Sequence, residues 1–209
     1  MNCKIDYSLY LVTDRDVLNG RDLVSSVEEA ILGGVTLIQL REKNISSLEF
    51  YNIAVKVKEL TDKYSIPLII NDRVDVAIAI DAAGVHLGQS DFPCEVARKI
   101  MGKNKLIGIS AGNLKQAKLA EIQGADYIGA GAVFVTGTKL DAIAVSINTL
   151  EDIKRNIKIP VVAIGGINEE NYCKLINTGI DGIAIISAIL GKENIKEAAE
   201  KFKSFRTNT

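Results

Sequence analysis

The sequence predicts an α/β protein of one domain, a (β/α)8 TIM barrel spanning residues 1–209. Short apolar runs alternate with amphipathic stretches from one end of the chain to the other. Most of these runs are continuous rather than alternating, which suits parallel strands covered on both faces. Eight strand–helix units close naturally into a barrel. An open doubly wound sheet is the main competitor, but no Gly-x-Gly-x-x-Gly follows the first strand.

In chain order, the first strand is expected over residues 9–12, followed by a helix over 21–32 with Val24, Val27 and Ile31 on one face. A strand over 35–40 leads to Ser46 and Glu49, a capping box. Phe50, Ile53, Ala54, Val57 and Leu60 then keep helical spacing. Strands over 67–70, 84–87 and 106–109 precede helices over 74–82, 93–101 and 114–123. The sixth strand, 127–133, is followed by a long connection, 134–147, before Asn148 and Glu151 open a helix. That length marks a candidate lid, because most βα connections need only a few residues. After a strand over 160–164, Asn168 opens a helix that Gly179 ends. A strand over 182–186 and a helix over 192–205 complete the eighth unit.

Composition narrows the function classes. With 47% apolar residues the chain can bury a core, so disorder is excluded. A formal net charge of -1 argues against a broad nucleic-acid surface. Any cation cluster for an anionic ligand must therefore be local. Cys3, Cys94 and Cys173 have neither metal-ligand spacing nor a disulfide pattern. The N-terminal residues lack the apolar segment of a signal peptide, and no run is long enough to span a bilayer. The expectation is a cytoplasmic protein acting on small molecules, with no nucleic-acid or membrane partner and with a homo-oligomer left open.

Barrel sites lie at the C-terminal ends of the strands. Those ends carry Gln39, Arg41 and Lys43; Asn71 and Asp72; His86 with Gln89, Ser90 and Asp91; Ser110; Thr136, Thr138 and Lys139; Gly165 and Gly166; and Ile186 and Ser187. Arg41 and Lys43 suit phosphate oxygens, although a solvated charged turn has the same composition. Glu42 is expected to point away from such phosphates or to orient one of the cations. Asp72 and Asp91, on neighbouring strands, could hold Mg²⁺ while leaving positions for water and phosphate. Each also precedes a helix, so two N-caps are the alternative. The Thr136-Gly137-Thr138-Lys139 run offers two hydroxyls, a permissive glycine and a cation. Gly165-Gly166 and Ser187 stand where barrels often bind phosphate, although glycine pairs also serve as plain turns. His86 is the sole histidine, and on a strand it is better read as satisfying a core hydrogen bond than as a catalyst. No Ser-His-Asp or Cys-His arrangement supports acyl transfer.

Taken together, these segments resemble the thiamine-phosphate synthase family. The resemblance runs along Leu9 to Asp14, Gln39 to Lys43, Ile69 to Arg73, Val85 to Gln89 with Asp91, Ile107 to Ser110, Thr136 to Lys139 and Ala163 to Ile167. It implies a transferase that joins 4-amino-5-hydroxymethyl-2-methylpyrimidine diphosphate to a thiazole phosphate and releases pyrophosphate. It further implies that Gln39, Arg41, Lys43, Asn71, Ser110 and Lys139 bind the pyrimidine diphosphate, with Leu40, Glu42 and Gly137 in the same binding segments. Arg41, Lys43, Ser110 and Lys139 would be catalytic, and Asp72 and Asp91 would bind Mg²⁺. Thr136, Thr138, Gly166, Ile186 and Ser187 would form the thiazole-phosphate pocket. The chain departs from the family pattern at Ala130-Gly131-Ala132, Val135 and Leu140, and keeps every residue named as a ligand. Two other readings are a tautomerase-like or regulatory relative on the same barrel, and a sugar-phosphate isomerase. The retained Arg41, Lys43, Asp72, Asp91 and Lys139 disfavour the first. The second needs a general base, for which only His86 and Asp14 are candidates.

Overall fold

The computed structural model describes residues 5–135 and 145–203. Eight parallel strands close on themselves in sequence order: β1 (Leu9–Val12), β2 (Leu37–Leu40), β3 (Leu68–Asn71), β4 (Gly84–Leu87), β5 (Leu106–Ala111), β6 (Tyr127–Gly131), β7 (Val161–Ile164) and β8 (Gly182–Ile185). The predicted (β/α)8 barrel is therefore the observed fold. Closure is direct, with Tyr10 of β1 opposite both Leu37 of β2 and Ala184 of β8.

Alternation along each strand separates two cores. Leu9, Leu11, Ile38, Leu40, Ile70, Val85 and Ile107 face outward and pack with helix residues such as Val27, Phe50, Ala54 and Ala97. Tyr10, Val12, Leu37, Ile69, Tyr127, Val162 and Ala184 fill the barrel interior. With both strand faces covered, continuous apolar runs are what this sheet requires. Each fully buried large aliphatic side chain here contributes about 1.5–3 kcal/mol.

The outer layer holds α1 (Leu23–Leu32), α2 (Ser47–Lys63), α3 (Val74–Ala79), α4 (Cys94–Met101), α5 (Leu114–Ile122), α6 (Ile147–Asn156), α7 (Ser187–Leu190) and α8 (Ile195–Glu200). Ser46 caps α2 as expected, its hydroxyl accepting from the Glu49 N–H at 3.1 Å. The start of α6 differs from expectation: Ser146, not Asn148, is the cap and accepts from the Thr149 N–H at 3.0 Å. Buried Val145 and Leu150 flank that cap in the staple arrangement, which fixes where the chain enters the helix.

The helix expected after Asn168 is a 3-10 segment, Tyr172–Thr178. Asn168 instead organises a turn, with its Oδ1 accepting from the Glu170 N–H at 2.9 Å and its N–H donating to Asn171 Oδ1 at 2.9 Å. Such side-chain bonds compete with helical ones. Gly179, at φ 75°, ends the segment as predicted. The helix expected over 192–205 is the shorter α8, and the separate α7 ahead of it was not expected. Arg21 donates to the Leu190 and Lys192 carbonyls, satisfying groups that a continuous helix would have used itself. Asn194 then caps α8. Among the described residues no helix is long and apolar enough to cross a membrane.

Candidate active site

Among the described residues, the closed parallel barrel sets the predicted strand-end residues at the C-terminal end of its strands. Gln39 points into the barrel, is 4% exposed, and its Nε2 donates to the Tyr10 hydroxyl at 2.9 Å. Leu40 alternates outward into the strand–helix core, so its side chain does not reach the mouth. Beyond β2 the turn is pinned: the Arg41 N–H donates to Thr13 Oγ1 at 2.9 Å, and the Arg41 guanidinium lies 3.2 Å from Asp14 Oδ2. Glu42 turns instead to Arg15, 2.8 Å away, and orients neither Arg41 nor Lys43. Burial pushes the Glu42 carboxyl up, and Arg15 offsets this only partly.

Lys43 crosses to β3 and forms an ion pair with Asp72. Asp72 is held at φ 60°, an uncommon angle for a residue with a side chain, while its N–H donates to the His86 carbonyl at 2.9 Å. Asp91 arrives from the loop after β4, and its Oδ2 accepts from the Gly88 N–H at 2.7 Å. The two carboxyl groups act on each other and are driven apart in acidity. Burial works to raise Asp72, but Lys43 and Asp91 outweigh it and hold Asp72 below the usual carboxylate range. Burial and the Asp72 charge push Asp91 above that range.

Neither acid caps a helix. The cap of α3 is Arg73 and that of α4 is Pro93, and neither position makes a side-chain capping bond. The capping alternative for Asp72 and Asp91 is thereby removed. Among the described residues no group of three or more His, Cys, Asp or Glu side chains forms a closed metal cage. Two carboxylates facing an open mouth do fit Mg²⁺, which usually keeps waters and substrate phosphates as its remaining ligands.

Asn71, 8% exposed, ends β3, and among the described residues its Nδ2 finds no partner. A buried donor of this kind is costly unless a ligand or water accepts from it. Ser110, near the end of β5, places its Oγ 3.0 Å from His86 Nε2, and the His86 Nδ1 lies 3.1 Å from the Tyr127 hydroxyl. His86 thus makes the core hydrogen bonds expected of it.

Across the barrel, Gly165 and Gly166 have φ 101° and 65°. A Cβ on Gly166 would lie 2.4 Å from the Val135 carbonyl oxygen, so the pair also lets the chain leaving β6 pass closely. A cavity of about 30 Å³ opens there, lined by Gly165, Gly166, Ile186 and Ser187 among others. Thr136, Gly137, Thr138 and Lys139 lie outside the described residues.

The thiamine monophosphate synthase family model matches residues 9–189. The thiamine-phosphate synthase of Alkaliphilus oremlandii is 61% identical over 203 residues, 97% of each chain. That of Clostridium tetani is 58% identical over 204 residues, 98% of each chain. The solved thiamine phosphate pyrophosphorylase from Pyrococcus furiosus superposes with a TM-score of 0.89 at 45% identity, covering 96% of each chain. The chain belongs to the thiamine monophosphate synthase family. As a member of the thiamine monophosphate synthase family it is a transferase, and its barrel fold agrees with that membership.

Several contributors to the mouth were not singled out from the sequence. Thr13 and Arg15 hold the β2 turn, and Asp14, considered from the sequence only as a base, forms an ion pair with Arg41. Tyr10 and Tyr127 link Gln39 to His86 through hydroxyls 2.8 Å apart. An aromatic residue inside a buried strand was their one local signal, and it does not disclose a partner on a distant strand.

Proposed function

We propose that the barrel mouth joins 4-amino-5-hydroxymethyl-2-methylpyrimidine diphosphate to thiazole phosphate by Mg²⁺-dependent dissociative substitution. Thiamine-phosphate synthesis is the activity that membership of the family gives this chain. The observation that carries the residue assignment is the Lys43–Asp72–Asp91 group, where two carboxylates released from capping face each other beside an ammonium.

In the reaction, the bond between the pyrimidine methylene carbon and the diphosphate oxygen breaks, and its electron pair leaves with pyrophosphate. A resonance-stabilised pyrimidine methylene cation remains. The thiazole nitrogen then donates its lone pair to that carbon, forming the C–N bond of thiamine monophosphate. Charge separation is the difficult step, so catalysis rests on stabilising the departing anion. Arg41 supplies a fork for its oxygens, and Lys43 and Lys139 supply point charges. Asp72 and Asp91 would hold Mg²⁺, which when bound neutralises diphosphate charge.

Gln39, Asn71 and Ser110 orient the pyrimidine, the Asn71 Nδ2, without a partner among the described residues, being a donor in waiting. Glu42 and Leu40 contribute through the backbone and turn they belong to. Thr136, Gly137, Thr138, Gly166, Ile186 and Ser187 receive the thiazole phosphate, with the small cavity beside Ser187 at its base. No protein nucleophile is required. The same reading gives a cytoplasmic enzyme whose partners are its small-molecule substrates, with a homo-oligomer compatible with it.

Calorimetric titration of pyrophosphate, with and without Mg²⁺, tests the metal and leaving-group assignment. Binding should be strengthened by Mg²⁺ in the wild type and lose that dependence in Asp91→Asn. Binding indifferent to Mg²⁺ in the wild type would refute the assignment of Asp72 and Asp91.

A further inference from the structure

Five side chains from five strands form one hydrogen-bonded line across the barrel interior. Gln39 Nε2 donates to the Tyr10 hydroxyl at 2.9 Å, and that hydroxyl lies 2.8 Å from the Tyr127 hydroxyl. Tyr127 lies 3.1 Å from His86 Nδ1, and His86 Nε2 lies 3.0 Å from Ser110 Oγ. The line starts and ends on residues assigned above to the pyrimidine substrate, while its three middle members lie beneath the mouth.

Counting hydrogens gives the line a direction. An amide nitrogen only donates, so Gln39 makes the Tyr10 oxygen an acceptor. The single Tyr10 hydrogen then goes to Tyr127, and the Tyr127 hydrogen goes to His86 Nδ1. That leaves the ring proton on Nε2, where it donates to Ser110 Oγ. The Ser110 hydrogen remains for an acceptor at the mouth. With the opposite tautomer, Nδ1 donates to Tyr127, Tyr127 donates to Tyr10, and with Gln39 Nε2 facing it the Tyr10 hydrogen has no acceptor among the described residues, in a side chain only 2% exposed. Burial also pushes both phenols well above their ordinary range, so each keeps its hydrogen.

The strands make room for this line. A Cβ on Gly108 would lie 2.4 Å from the Tyr127 hydroxyl and 2.5 Å from His86 Nδ1, and one on Gly129 would lie 2.9 Å from His86 Cε1. Gly108 stands in register opposite His86 on one side and Tyr127 on the other.

We infer that Tyr10, Tyr127 and His86 are positioning residues that lock His86 as the Nε2–H tautomer and so present the Ser110 hydroxyl to the pyrimidine substrate as a hydrogen-bond donor. The substrate part of this inference rests on the proposed reaction, whereas the tautomer part does not. Because His86 is the sole histidine, nitrogen NMR of uniformly labelled, ligand-free protein at mildly alkaline pH reads its tautomer directly. The expected spectrum has a protonated Nε2 and an unprotonated Nδ1. A protonated Nδ1, or a mixture of tautomers, would overturn the inference whether or not the reaction assignment holds.

Tyr127→Phe removes the donor to Nδ1 and keeps the ring, and folding is checked by its circular dichroism. It should release the tautomer lock and lower kcat/KM for the pyrimidine diphosphate about tenfold, leaving KM for thiazole phosphate unchanged. Wild-type kinetics, or equal shifts for both substrates, would reduce the line to ordinary core structure. A correct tautomer in a protein that makes no thiamine monophosphate would instead reject the reaction assignment and leave the tautomer lock standing.

Discussion

A Cβ placed on Gly108 would lie 2.1 Å from Cζ of Tyr127, its in-register neighbour on β6. The atoms concerned belong to a fully buried ring, so nothing nearby can yield easily. Gly108→Ala should therefore destabilise the fold by about 1–3 kcal/mol through overpacking, although alanine suits a strand better than glycine. Urea unfolding measures this. A midpoint at or above that of the wild type would show that the interior has more slack than the packing indicates.

Removing Lys43 bears on the carboxylate pair as well as on substrate. Lys43→Ala deletes a cation at the mouth and the main charge holding Asp72 ionised. Turnover should fall on the order of 10²-fold, the scale of losing one stabiliser of transition-state charge. Steady-state assay at saturating Mg²⁺ decides it, and a change of less than about twofold in kcat would remove Lys43 from leaving-group stabilisation.

Lys139 lies outside the described residues, yet its proposed role yields the same kind of outcome. Lys139→Ala should lower kcat on the order of 10²-fold with little loss of stability. Thermal unfolding alongside the assay separates the two effects. Full turnover in that variant would place the ammonium away from the departing diphosphate.

The pH dependence of stability can be read at α1. Asp22 caps this helix, with Oδ2 accepting from the Ser25 N–H at 2.8 Å and from its hydroxyl at 2.9 Å. These bonds hold the Asp22 carboxyl below its usual range. A carboxyl whose folded pKa is depressed contributes stability above its unfolded pKa, and that contribution is lost as pH falls through the folded pKa. Asp22→Ala should thus cost about 1 kcal/mol at neutral pH, and the gap should close in acid. Paired denaturation curves across pH test this; a gap constant down to strongly acidic pH would mean the charge is not what Ser25 recognises.

Much of the barrel was legible because its strands are covered on both sides. Runs such as Leu9–Val12 and Val161–Ile164 could be located from apolar continuity alone. Helix starts were less so. Ser146 and Asn148 are both good caps, and what separates them is the burial of Val145 and Leu150 around the first, a fact of packing. Sequence also left Asp72 and Asp91 divided between capping and metal binding, since an aspartate before a helix serves either purpose. Only the backbone geometry at Arg73 and Pro93 removed the caps. Glu42 was read as pointing away from a phosphate or orienting one of the neighbouring cations, and its ion pair with Arg15 was not foreseen. The Tyr10–Tyr127–His86 connection joins residues far apart in the chain and had no local signature.

The decisive measurement is product formation by the purified chain given the pyrimidine diphosphate, thiazole phosphate and Mg²⁺. Thiamine monophosphate and pyrophosphate should appear in equal amounts, and both should vanish when the divalent ion is chelated. Pyrophosphate released without thiamine monophosphate, or undiminished synthesis under chelation, would contradict a mouth that holds the leaving group through Asp72, Asp91 and a metal until the thiazole nitrogen attacks.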